Sequence, residues 1–156
     1  MPKFQKYYRK AQNASNVILK LFYKCLLVYF RSKNLVELGV DCKIGGGLYI
    51  GHPYAITINP NAIIGSNCNI HKGVTIGQEN RGKRKGTPVI GNDVYIGINS
   101  TIVGNITIGD DVLIAANTFV NKDIPSHSIV IGNPCIIKPR SDSMATEGYI
   151  NNRCSM

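Results

Sequence analysis

Three imidazoles, His52, His71 and His127, are the groups in this chain best suited to move a proton near neutral pH. His52 follows Gly51 in the stretch GLYIGHPYAI, and Glu37 lies fifteen residues upstream. A carboxylate that reaches one imidazole nitrogen fixes the tautomer and stabilises the imidazolium, which equips the ring to act as general base toward a hydroxyl. His52 and Glu37 are therefore the candidate catalytic pair. His71, nineteen residues beyond His52, is expected to position rather than to react, and His127, in a Pro125-Ser126-His127-Ser128 turn, is expected at the surface. Zinc sites can converge three imidazoles on one metal. With only three histidines in the chain, one of them beyond the repeats described next, no metal site is expected.

The elements that must hold these groups announce themselves by spacing. Ile90, Ile96, Ile102, Ile108, Ile114 and Val120 recur every six residues; Leu38, Ile44, Ile50 and Ile56 keep the same step, which resumes two residues late at Ile64, Ile70 and Ile76. A helix repeats its apolar residues at about 3.6 and a half-buried strand at about 2. A step of six belongs to a β-helix. Three hexads close one coil, so every eighteenth residue stacks on the last at the ordinary interstrand spacing of about 4.8 Å. Gly45, Gly51, Gly65, Gly77, Gly91, Gly97 and Gly109 fall at corners where a Cβ would crowd the bend. A sandwich would instead show turn signals every 8 to 12 residues or so, with alternating faces. On this frame, fifteen residues is three short of a coil, which predicts that Glu37 and His52 reach one edge on adjacent rungs, with His71 facing the same groove a coil higher.

The repeat is interrupted once, between Ile76 and Ile90, where about eight extra polar residues predict a loop extruded at 78–88 and carrying Arg81, Lys83, Arg84 and Lys85. Charge is uneven: residues 1–36 hold Lys3, Lys6, Arg9, Lys10, Lys20, Lys24, Arg31 and Lys33 and no acid, nearly all of the net +9. The apolar, aromatic run from Val17 to Phe30 is too short and too basic to span a bilayer. It predicts an amphipathic helical arm that lies on an anionic membrane surface or packs on the repeat body or on a sister subunit. No nucleic-acid-binding motif accompanies the basic residues, so no nucleic-acid partner is expected. No secretory cleavage site follows the basic start, and the odd number of cysteines, with Cys42 and Cys68 at small hexad positions, predicts buried free thiols in a reducing cytoplasm. The expected division is an arm at 1–36, a repeat body at 37–125 and a closing segment and tail at 126–156.

Residues 37–140 resemble the hexapeptide-repeat acyltransferases, above all the serine acetyltransferase branch and its relatives that O-acetylate sugars and polysaccharides. The likeness rests on ELGVDCKIGGGLYIGHPYAI, AIIGSNCNIHKGVTIG, TPVIGNDVYIGINSTIVGNITIGDDVLIAANTFV and the closing IPSHSIVIGNPCIIKPR. It implies a left-handed parallel β-helix, a homotrimer and an acetyl-CoA site between neighbouring subunits. It places the catalytic histidine at His52 and its acid at Glu37, longer by one methylene than the family's usual Asp. It also places the pantetheine arm along Gly97, Ile98, Ala115 and Ala116. Arg81, Lys83, Lys138 and Arg140 are expected near the cofactor's phosphates, and His71 and Tyr54 near the acceptor.

Serine acetyltransferases also carry an acid just before the catalytic histidine and an Arg-His pair in the loop. Here those places hold Gly51, Gly86 and Thr87. Serine would find no charged partners there, so a hydroxyl of a sugar or polysaccharide precursor is the expected acceptor. Serine itself is the alternative, and a non-enzymatic membrane-binding repeat protein comes behind both.

Overall fold

The structure, a computed structural model, describes residues 3–39, 41–141, 144–151, 153 and 154. It is a left-handed parallel β-helix preceded by two helices. Short strands stack into three sheets. The first sheet holds Val36–Leu38, Ile56–Ile58, Thr75–Gly77, Thr101–Val103 and Phe119–Val120; the second holds Lys43–Ile44, Ile63–Ile64, Val89–Ile90 and Thr107–Ile108. The third runs from Tyr49–Gly51 through Asn69–His71, Tyr95–Ile96 and Val112–Ile114 to Ser128–Ile131, and Ile136–Pro139 ends it as an antiparallel strand.

The predicted ladder is the core. Ile50, Ile70, Ile96, Ile114 and Val130 stack in register in the third sheet and are fully buried. Ile44, Ile64, Ile90 and Ile108 do the same in the second, and Ile58, Ile76, Ile102 and Val120 in the first. Burying each such side chain is worth about 1.5–3 kcal/mol. The corners explain the glycines: a Cβ on Gly65 would lie 2.5 Å from the Gly91 carbonyl oxygen, and one on Gly97 2.6 Å from the Ala116 nitrogen.

Coil length follows the spacing of the sequence. Thr101 pairs with Phe119, eighteen residues on. Thr75 pairs with Thr101, twenty-six on, because the loop leaves the body between them and closes on itself through Glu79 and Gly86. The first coil takes twenty residues, since Glu37 pairs with Thr57. Its two extra residues fall at the corner after His52.

The arm is two helices, α1 (Lys3–Asn13) and α2 (Val17–Asn34). Asn16 caps α2, its side chain accepting from Ile18 N at 2.8 Å and Leu19 N at 3.3 Å. Helix α1 closes the open end of the solenoid, as a repeat array requires. Tyr8 and Ala11 are fully buried, Tyr8 donates to the Cys42 carbonyl at 3.3 Å, and Arg9 donates to the carbonyls of Ile44 and Gly45. Tyr7 stacks on Tyr23 and Phe30 to hold α2 against α1. Helix α1 therefore packs on the body. Helix α2 buries Leu27 but leaves Val17, Ile18, Leu21, Phe22, Val28 and Tyr29 exposed. Among the described residues no helix is long and apolar enough to cross a membrane.

Beyond the last strand the tail folds back along the third sheet. Asp111, buried at the corner, accepts at Oδ1 from the Thr146 N–H (3.0 Å) and hydroxyl (2.6 Å) and at Oδ2 from the Ala145 N–H (2.9 Å), and His127 Nδ1 lies 2.8 Å from the same Oδ2. Lower down, Asn69 donates to the Tyr149 carbonyl and accepts from Asn151 N, and Asn67 accepts from Cys154 N. The tail thereby laces several coils together. His127 is exposed, as expected, and touches the same Asp111 from the corner.

Candidate active site

His52 stands at the widened corner between the third and first sheets, exposed and in the left-handed region (φ 55°). A non-glycine residue there is uncommon and costs about 1 kcal/mol or more. The corner is held on both sides, since Ala55 N donates to the Asn34 carbonyl at 2.9 Å and Gly73 N to the Tyr54 carbonyl at 3.0 Å. Tyr54 is exposed beside His52 on this corner. The strand register then stacks a column of ends along the body. Gly51 pairs with His71, and continuing the Ile70–Ile96 and Ile96–Ile114 pairings by one residue sets Gly97 on His71 and Ala115 on Gly97. His52, His71, Gly97, Ile98, Ala115 and Ala116 thus share one edge.

Close packing marks the column. A Cβ at Gly51 would lie 2.9 Å from two atoms of the His71 ring, so that ring occupies space which any other residue at 51 would contest. The His71 ring packs on Tyr95 (centroids 4.9 Å apart), and Tyr95 on Tyr149 of the tail (5.0 Å). His71 Nε2 is buried with no hydrogen-bond partner among the described residues. Burial, with the neighbouring His52 adding to it, lowers the His71 pKa and keeps the ring neutral near pH 7.

Two clefts of about 550 Å³ open on the body. One, on the third sheet, has an apolar floor of Leu113, Ala115, Ile129 and Ile131 and a wall made by Arg140 and the tail, including Tyr149. It brings together Ala115 and Arg140, both expected to contact the cofactor. Lys138 is opposite Ile129 on the last strand and exposed. Arg81 and Lys83 are exposed on the extruded loop, away from both clefts. The other cleft lies on the first sheet and is lined by Arg31, Glu37, Thr57, Asn59 and Gln78 among others.

The expected contact between Glu37 and His52 is not made within this chain. No hydrogen bond or ion pair joins them among the described residues. The first coil takes twenty residues, not eighteen, so His52 falls five residues short of the position stacked on Glu37 rather than three. Glu37 sits in mid-strand, facing the cleft with Arg31. Sequence reasoning missed Arg31, which it counted only as arm charge, and the tail, whose polar residues follow no period. Among the described residues no cluster of three or more His, Cys, Asp or Glu is placed to hold a metal ion.

Comparisons with known proteins fit this architecture. Residues 87–122 match the family described as bacterial transferase hexapeptide (six repeats), and residues 55–79 match the hexapeptide repeat of succinyl-transferase. The chain belongs to the hexapeptide-repeat acyltransferases. Within them it falls on the serine acetyltransferase-like branch. It is 36% identical over 99 residues to serine acetyltransferase of Synechococcus elongatus, covering 64% of this chain and 41% of the relative. To serine acetyltransferase of Helicobacter pylori it is 38% identical over 98 residues, covering 63% and 57%. Among solved structures, serine acetyltransferase from Brucella abortus superposes with a TM-score of 0.72 at 28% identity, over 88% of this chain and 56% of that one. The chain spans about half the length of these relatives. The relatives overturn the expectation of a sugar or polysaccharide acceptor, because in sequence and in fold they are serine acetyltransferases.

Proposed function

We propose that this chain is an acetyl-CoA-dependent serine O-acetyltransferase, working as a homotrimer in the cytoplasm. The observation that carries the reading is the likeness to serine acetyltransferases in both sequence and fold. The site is compatible with it. His52, exposed at a fixed corner, takes the proton from the acceptor hydroxyl as its oxygen attacks the thioester carbonyl, and returns it to the departing thiolate. Glu37 lies in the strand paired with the one that follows His52, and it is the carboxylate we assign to steadying the imidazolium once substrates draw the groups together.

Gly97 and Ala115 put no bulky side chain on this edge, and we assign the pantetheine arm to it, with Ile98 and Ala116 beside it. Arg140, at the edge of the cleft over Ala115, is suited to an anionic tail, and Lys138, Arg81 and Lys83 are the further cations assigned to the phosphates. Tyr54 and His71 flank His52 and are assigned to the acceptor side. A single body leaves both clefts open on one side, so a trimer supplies the second wall. The exposed apolar face of α2, with Lys20, Lys24 and Lys33 on the same helix, supports a peripheral contact with anionic membrane through residues 1–36, which flotation with phosphatidylserine vesicles would test.

The deciding experiment follows thiol release from acetyl-CoA with serine as acceptor, beside sedimentation at assay concentration. Serine-dependent release by a trimer is expected. No release with serine, or an active monomer, would refute the corresponding part.

A further inference from the structure

Serine presents two charges, and the family's usual partners for them are replaced here by Gly51, Gly86 and Thr87. The cleft on the first sheet contains a cation that can meet one of them. Among its lining residues Arg31 is the one cation and Glu37 the one anion. Arg31 comes from the last turn of α2, where its Nε donates to the Val36 carbonyl at 3.2 Å. That bond anchors the guanidinium plane and leaves the two Nη groups without a partner among the described residues. No ion pair joins Arg31 to Glu37. Thr57, Asn59 and Gln78, the last at the root of the extruded loop, complete the polar lining, while Ile58, Pro60 and Ile76 supply apolar wall.

We propose that Arg31 is the specificity residue of this enzyme and binds the α-carboxylate of the acceptor amino acid. The inference rests on the serine acetyltransferase reading above and deepens it. A guanidinium fixed at Nε presents its remaining N–H groups as a fork matched to a carboxylate, and a charged pair of this kind in a partly enclosed cleft is strong enough to select a substrate. The arm thereby supplies to the site a charge that the repeat sequence lacks.

The test compares serine with serinamide, whose carboxylate is replaced by a neutral amide, on wild-type protein and on Arg31→Gln. Wild type is expected to prefer serine. Arg31→Gln should lower kcat/KM for serine about 10- to 100-fold, mostly through KM, and leave serinamide within about twofold. Arg31→Lys, which keeps the charge but loses the fork, should fall between. Equal loss on both acceptors, or no loss on either, would overturn the assignment; a purely structural role for Arg31 gives the first of these. Should Arg31→Gln fail to fold, the serine-to-serinamide ratio of Arg31→Lys decides in its place. Calorimetric binding of both compounds to His52→Ala separates the two levels of the argument. An Arg31-dependent preference for serine without turnover in the wild type would sink the proposed activity and keep this inference. Turnover of serine with no such preference would do the reverse.

Discussion

The repeat body and the segments that break it obey different rules. In the body each hexad places an aliphatic residue inside and most place a small one at the corner, so that Ile50, Ile70, Ile96, Ile114 and Val130 are interchangeable rungs of one ladder. Where the period fails, no position is interchangeable. The two extra residues after His52 put that side chain in a left-handed, exposed corner. The eight-residue loop brings Gln78 to the cleft, α2 brings Arg31, and the tail brings Tyr149. The body supplies rigidity and the interruptions supply chemistry, because a strict repeat can only offer the same side chain again.

The sharpest way to break that comparison is to exchange one residue of each kind. His52→Ala should cut kcat by about 10²- to 10⁴-fold while the melting temperature stays within a degree or two, because the lost side chain is exposed. Ile96→Ala should do the opposite to stability. It empties a fully buried rung and should cost about 2–5 kcal/mol in urea unfolding, with the residual folded protein still turning over. A stable Ile96→Ala together with an unstable His52→Ala would reverse the distinction.

Smaller effects sharpen it at the tail. Asp111→Ala removes the acceptor of three bonds from Ala145 and Thr146 and should cost about 1–3 kcal/mol. Limited proteolysis should then cut the tail faster while sparing the coils. Burial alone would raise the Asp111 carboxyl, but the bonds from Thr146, His127 and Ala145 outweigh it and hold the pKa below the ordinary value. The folded state therefore binds this proton less readily than the unfolded chain. The contribution is full above the unfolded pKa of about 3.9 and is lost as pH falls through the lower folded value. Tail release should accordingly need strong acid, and protection persisting in Asp111→Ala would remove the carboxylate from the account. Smallest of all, Phe22→Ser on the exposed face of α2 should change stability by no more than about 0.5 kcal/mol, and a larger loss in dilute solution would show that this face is covered in the assembly.

Much of the fold was legible in the sequence because solenoid packing is local. Each rung touches the next, and a period of six reports that contact directly. The ladder, the corner glycines, the extruded loop and the burial of Cys42 and Cys68 all follow from it. So does the shared edge of His52 and His71. The same logic missed the register between Glu37 and His52, since two residues inserted at one corner shift every alignment across it, and a mean coil length cannot say which side chains then face each other.

By itself, then, the sequence determined the β-helix, its core and the column on which His52 stands, all consequences of nearest-neighbour stacking. Only the tertiary structure decided that Arg31 shares a cleft with Glu37, that Asp111 fastens a tail thirty-five residues away, and that the His71 ring fills the space beside Gly51. Those contacts join segments with no common period. They depend on where α2 and the tail come to rest against the finished solenoid, a position set by caps, aromatic stacking and single buried hydrogen bonds rather than by any repeating pattern.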